Sequence, residues 1–235
     1  MKYKSRGIAL TYRKQGESSI ISKIFTEQHG LQSFIIKGSR SKKSKKKPSY
    51  FEPLKLLILT ASFKSKKSLQ YLEEVSLVCD FNIASKKIHK SFIAFFIAET
   101  AEKVLQENEQ NIPLFNFIWK TTNTLYKNEE IDPNFAIKYL INLSQFLGFY
   151  PSTRHIASPF FNLETGEFCE KTTSTKIFLK EKESTYLKML LDNQEIIIPQ
   201  DQKTKLLSVI LKYYKIHHYN LDSITSHLVI ESLRR

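Results

Sequence analysis

Seven cations crowd into eleven residues of this chain: Lys37, Arg40, Lys42, Lys43, Lys45, Lys46 and Lys47. Serines and Gly38 separate them, so the segment lacks an apolar anchor and reads as a flexible, polar loop. Ammonium and guanidinium groups on such a loop suit one chemistry. They follow a phosphate backbone and displace its counterions without reading bases. A second cluster, Lys64, Lys66 and Lys67, lies beyond the next apolar run, and Arg6 and Arg13 precede the first. These twelve side chains are the candidate nucleic-acid contacts. Aromatic residues interleave with them: Tyr3, Tyr12, Phe25, Phe34, Tyr50, Phe51, Phe63 and Tyr71. Most belong in a core. Tyr50 and Phe63 lie beside the basic segments and are better candidates for base stacking than Phe25 or Phe34.

No pattern for covalent chemistry accompanies them. The chain has six glycines and no phosphate-cradling GxxxxGK[ST] or GxGxxG. Gly16-Glu17-Ser18 is not a nucleophile elbow, which needs glycine on both sides of the serine. His217, His218 and His227 have only Asp222 nearby and read as surface or interface histidines, and His155 is isolated. Cys79 and Cys169 lack CxxC spacing, which argues for reduced thiols over a disulfide framework or a four-thiolate zinc site. A metal-dependent nuclease needs clustered acids, whereas residues 1–80 hold only six, scattered as Glu17, Glu27, Glu52, Glu73, Glu74 and Asp80. The chain therefore reads as a non-enzyme without cofactor or metal. No stretch approaches the ~18–20 apolar residues that span a bilayer. Gly7 to Leu10 is too short for a signal-peptide core, so the expected location is cytoplasmic, with the nucleoid, and away from membranes.

The elements that must carry these residues fall into two regions. Residues 1–80 hold seventeen Lys and Arg against six Asp and Glu, a balance of +11 out of +13 for the whole chain. Such asymmetry marks a polyanion-binding module joined to a near-neutral partner. In this module Ile8, Leu10 and Tyr12 alternate with Ala9, Thr11 and Arg13. Further strands read at Ser18 to Thr26, Leu31 to Lys37, Phe51 to Thr60 and Leu69 to Val78, with turns at Gly16, His29-Gly30 and Gly38. Five short strands at this spacing predict a small barrel. The period then becomes helical from Ile88 to Leu105, from Pro113 to Leu125, and from an Asp132-Pro133 start to a stop at Gly148. A hairpin reads around Glu164-Thr165-Gly166, and helical periods return at about 183–193, 200–219 and 222–233. The fold class is α+β: a β domain over 1–80 and a mainly helical domain over 81–235, with an irregular insertion around 150–182.

Several motifs, in order, resemble those of the RecO family of bacterial recombination mediators. They are Gly7-Ile8-Ala9-Leu10, Gly16-Glu17-Ser18-Ser19-Ile20-Ile21, Phe25 through Leu31 with its His29-Gly30 turn, and Lys37-Gly38-Ser39-Arg40. Tyr50-Phe51-Glu52-Pro53-Leu54 looks like the family's LQPF strand, and Phe146 to Pro151 like its LLGYxP helix end. Phe161 to Cys169 looks like its F…GxxC hairpin. Each motif is weak alone; their shared order over most of the chain is specific.

The resemblance implies an N-terminal OB-fold and a helical domain. It also implies binding of single- and double-stranded DNA, annealing of complementary strands, and work with RecR and single-stranded DNA-binding protein to load RecA. One departure stands out. Many members carry two CxxC pairs in the C-terminal domain, but Ser152 to Ala157 holds no thiol here, and Cys169 alone remains. One thiolate does not hold a tetrahedral zinc. Lys203, Lys205, Lys212 and Lys215 recur with Leu206, Leu207, Ile210, Leu211 and Tyr214. This reads either as an ordinary amphipathic helix or as a dock for the acidic, apolar tail of single-stranded DNA-binding protein. The competing reading for the chain is an RNA-binding translation or ribosome-assembly factor.

Overall fold

The computed structural model describes residues 2–64, 67–78, 88–170, 177–224 and 226. The chain forms two compact units, residues 1–129 and 130–235.

The first unit is built on a closed five-stranded barrel. Its strands are β1 (Lys2–Gln15), β2 (Ser19–Thr26), β3 (Gly30–Ile36), β4 (Leu56–Ser62) and β5 (Leu69–Leu77), ordered β1-β2-β3-β5-β4. All neighbours are antiparallel except β3 and β5, which run parallel. This is the barrel topology of an OB-fold. A bulge between Ala9 and Thr11 bends β1, so that its first half pairs with β4 and its second with β2. The period of two places Ile20, Ile24, Phe34, Ile36, Leu57, Leu59 and Leu72 inside, where each is at most 1% exposed. Burying side chains of this size contributes roughly 1.5–3 kcal/mol each before entropy is counted. Phe51, expected to open the fourth strand, instead lies in a 3-10 turn (Pro48–Phe51). Its ring is fully buried, and the chain passes Leu54 at φ 60° before β4 begins. Burying that ring in the barrel overrides the strand propensity around it.

Among the described residues two helices follow the barrel in this unit: α1 (Ile88–Val104) and α2 (Ile112–Lys127). Asn111 caps α2, its side chain accepting from Leu114 N at 3.0 Å. Leu31 O accepts from Asn108 N at 3.1 Å, tying the segment after α1 to β3.

The second unit holds α3 (Phe135–Phe146), a small sheet, α4 (Glu181–Leu191) and α5 (Gln200–Ile216). The expected Asp132 cap is displaced. Asn134 occupies the N-cap position, while Asp132 accepts from Asn134 N at 2.7 Å and pairs with Lys138 Nζ at 2.6 Å. Residues 132–134 thus make a side-chain-closed turn, and Pro133 precedes the helix. The sheet has the expected hairpin, β6 (Phe160–Asn162) with β7 (Glu167–Cys169), and adds β8 (Phe178–Leu179). Tyr213 and Tyr214 of α5 donate their hydroxyls to Phe149 O and Leu140 O, each at 2.6 Å. The helical period expected at 222–233 lies largely outside the described residues.

Candidate nucleic-acid interface

The lysine-rich loop is clamped rather than loose. Gly38 turns the chain at φ 65°. Arg40 N then donates to Ser18 O at 3.0 Å and its guanidinium to Gly16 O at 3.2 Å, so the loop leaves β3 against the β1–β2 hairpin. At the far end Lys46 Nζ donates to Leu72 O at 2.9 Å, and buried Phe51 anchors the exit. Two short turns lie between, with Ser41 N bonded to Gly38 O and Ser44 N to Ser41 O. Lys37, Lys42, Lys43, Lys45 and Lys47 are exposed on this frame, as is most of Arg40. Of the seven cations, Arg40 and Lys46 therefore serve the fold as well as the charge.

The second basic turn is organised by a residue that the sequence reading missed. Gln70 is 2% exposed. Its amide donates to Lys64 O at 3.0 Å and Lys67 O at 2.7 Å and accepts from Lys64 N at 2.9 Å. The turn is thereby held while the Lys64 and Lys67 side chains stay exposed; Lys66 lies outside the described residues. The available signal was a polar residue on the inward phase of an alternating strand, between outward Leu69 and Tyr71.

Other candidates are placed differently. Arg13 is exposed on β1, opposite Ile21. Arg6 is engaged within the unit. Its guanidinium makes a two-pronged contact with Glu27 at 2.6 and 2.9 Å and donates to Asn116 at 2.9 Å. It also lies 5.2 and 5.0 Å from the ring centroids of Phe115 and Trp119 on α2. Arg6 holds the Glu27 carboxyl below its ordinary range, and Glu27 in turn raises the guanidinium. Lys2 pairs with Glu73 at 2.7 Å, and Lys23 with Glu102 of α1 at 2.9 Å. The aromatic expectation also shifts. Tyr50 and Phe63 pack against the barrel core, and the exposed rings are Tyr71, at 47%, and Tyr12, at 36%.

In the second unit, Lys205, Lys212 and Lys215 are exposed, whereas Lys203 is half-buried on another side of α5. Leu206, Leu207, Ile210 and Tyr214, the apolar partners of the docking reading, are buried in the unit's own core. That is the arrangement of an ordinary amphipathic helix. His217 packs inward as well, stacked on Phe149 at 4.8 Å and bonded to Leu163 O at 3.1 Å. Among the described residues no three His, Cys, Asp or Glu side chains converge as metal ligands, and Cys169 is the only cysteine. Such a donor set does not hold a tetrahedral zinc.

A closed barrel of this topology with a clamped array of exposed lysines, continued by helices, defines a protein of the OB-fold class. The Recombination protein O N terminal family matches residues 1–81, and the Recombination protein O C terminal family matches residues 85–221. The chain belongs to the RecO family of DNA repair proteins. The DNA repair protein RecO of Flavobacterium johnsoniae is 33% identical over 222 residues, covering 92% of each chain. That of Flavobacterium psychrophilum is 30% identical over 240 residues, covering 100% of this chain and 98% of the relative. That of Azobacteroides pseudotrichonymphae is 28% identical over 239 residues, covering 99% of both. This kinship does not favour the RNA-binding alternative. Among the described residues no helix is long and apolar enough to cross a membrane.

Proposed function

We propose that this protein binds single- and double-stranded DNA and anneals complementary strands without a covalent step of its own. The observation that carries this reading is the clamped loop, with Lys37, Lys42, Lys43, Lys45 and Lys47 exposed on a rigid barrel. Annealing requires cations that offset repulsion between two phosphate backbones while the bases stay open for pairing. A lysine array without base-reading side chains meets both needs. Arg13, Arg40, Lys64 and Lys67 extend the positive surface, and Arg6 stays with Glu27. Nothing in this task needs hydrolysis, which agrees with a sequence that has no phosphate-cradling motif.

The family relationship supports a mediator role with RecR and single-stranded DNA-binding protein, ending in RecA loading. The test is annealing of complementary oligonucleotides precoated with single-stranded DNA-binding protein. Wild-type protein should accelerate duplex formation, and a variant with Gln at Lys42, Lys43, Lys45 and Lys47 should not. Equal rates with and without the wild-type protein would overturn the reading.

A further inference from the structure

The outer wall of the barrel carries a feature that the lysine loop does not account for. Phe25, Phe34 and Phe51 are fully buried, whereas the ring of Tyr71 is 47% exposed in the body of β5. The strand register places it in a rung that runs round the barrel. Arg13 lies opposite Ile21, Ile21 opposite Ile35, Ile35 beside Tyr71, Tyr71 opposite Ser62, and Ser62 opposite Lys2. Residues opposite one another share a face of the sheet. Phe34 and Leu72, one step along their strands, are fully buried, so this rung faces outward. A half-exposed phenol thus stands beside the half-buried Ile35, with buried Ile21 and then Arg13 further round the rung. The Lys46 amine lies 5.8 Å over the ring. Lys46 gives one hydrogen bond to Leu72 O, and an ammonium has three to give, so two remain.

A flat, part-exposed ring beside an ammonium with unspent donors has the chemistry to receive a base and its adjoining phosphate. A duplex keeps its bases stacked on each other, so only an unpaired base fits. We propose that Tyr71 is a stacking platform for one unpaired base, with Lys46 taking the phosphate beside it. This rests on the DNA-binding reading above and adds a preference for single strands that phosphate contacts alone do not supply.

The next rung sets the limit of the platform. It holds Thr11, Lys23, Ser33 and Leu69, and it lines an open groove of about 630 Å³ that also takes in Arg13 and Ile21 and is bordered by Glu102 and Glu107. Lys23 is already neutralised by Glu102 at 2.9 Å. A phosphate there would meet two carboxylates, so the strand leaves the wall after one base instead of running along it.

The test compares Tyr71→Ala, Tyr71→Thr and Tyr71→Phe in the full chain. Binding of an oligothymidine and of a duplex of equal length is measured over a range of salt. Loss of one stacked base weakens single-strand affinity by roughly 5- to 150-fold, the equivalent of about 1–3 kcal/mol. The Ala and Thr variants should both show this loss, Thr because it keeps strand propensity while removing the ring. Duplex affinity and the slope of log K against log salt should stay at wild-type values, since no phosphate contact is removed. Tyr71→Phe should bind like wild type. Unchanged single-strand affinity in the Ala and Thr variants overturns the platform, as does equal loss on both DNAs or a flattened salt slope. If the wild-type protein bound neither DNA, the DNA-binding reading itself would fall.

Discussion

The two sides of the barrel treat charge in opposite ways. On the side that faces the unit's helices, charges are matched one to one. Arg6 meets Glu27 over two aromatic rings, and Lys23 meets Glu102. On the loop side, Lys42, Lys43, Lys45 and Lys47 stand exposed on a frame fixed by Arg40 and Lys46. Both sides draw on the same +11 surplus in the sequence. A cation given a carboxylate and a ring holds the fold; one given a scaffold and open solvent stays exposed. Counting charge finds the domain, and counting partners finds the surface.

The largest effect should come from the matched side. Gly30 sits at φ 65°, and a Cβ there would lie 1.9 Å from Glu109 O. Neither the backbone conformation nor the neighbour tolerates Gly30→Ala, which should cost ~3 kcal/mol or more in chemical denaturation. The folded fraction should keep wild-type DNA affinity. If it lost affinity, the matched side would take part in binding, and the contrast between the two sides would fail.

Replacing Lys42, Lys43, Lys45 and Lys47 with Gln tests the other side. Three lost phosphate contacts should flatten the single-strand salt slope by roughly 2 and weaken binding on the order of a hundredfold near ~0.1 M salt. The melting temperature should hold, because these side chains bury nothing. A variant with the wild-type slope would show a loop that is merely solvated.

Arg6→Ala sharpens the comparison from within. It removes the Glu27 and Asn116 contacts and the packing on Phe115 and Trp119. We expect a loss of ~1–2 kcal/mol, discounted for the part exposure of the pair, with no change in salt slope. The pH dependence should change with it. Glu27 titrates below its ordinary value in the folded chain, so the pair stabilises above that value and is lost as pH falls through the depressed one. Acid unfolding of Glu27→Gln should therefore lack that component.

The smallest effect is expected at His29. Its ring stacks on Phe63 at 4.3 Å and meets the edge of Tyr3 at 4.4 Å. Desolvation holds its pKa below the ordinary histidine value. The unfolded chain then binds the proton first, so stability is full above pH ~6.5 and declines below it until the folded ring also protonates. The decline should be the smallest of these effects, and His29→Phe should remove it from a stability-versus-pH series. A flat wild-type profile between pH 7 and 5 would contradict this.

Five strands, the main helices, the β6–β7 hairpin and the lysine loop were legible from the sequence, because each depends on neighbours a few residues apart. Period two, period 3.6, turn residues and local charge density are all short-range signals. The family motifs were legible for the same reason. The fate of individual side chains was not. Nothing near Arg6 in sequence announces Asn116, 110 residues away, and nothing near Lys23 announces Glu102, 79 residues away. Tyr50 and Phe63 adjoin basic segments, yet they pack on the core, while Tyr71, in the body of β5, presents its ring to solvent. Phe51 turned out of its expected strand to fill the barrel. Sequence determined that a basic barrel forms and where its charge is concentrated. Closure of the barrel and packing of α1 and α2 in the same unit decided which cations find carboxylates and which remain exposed, because ion pairing and burial depend on distances that only the closed chain defines.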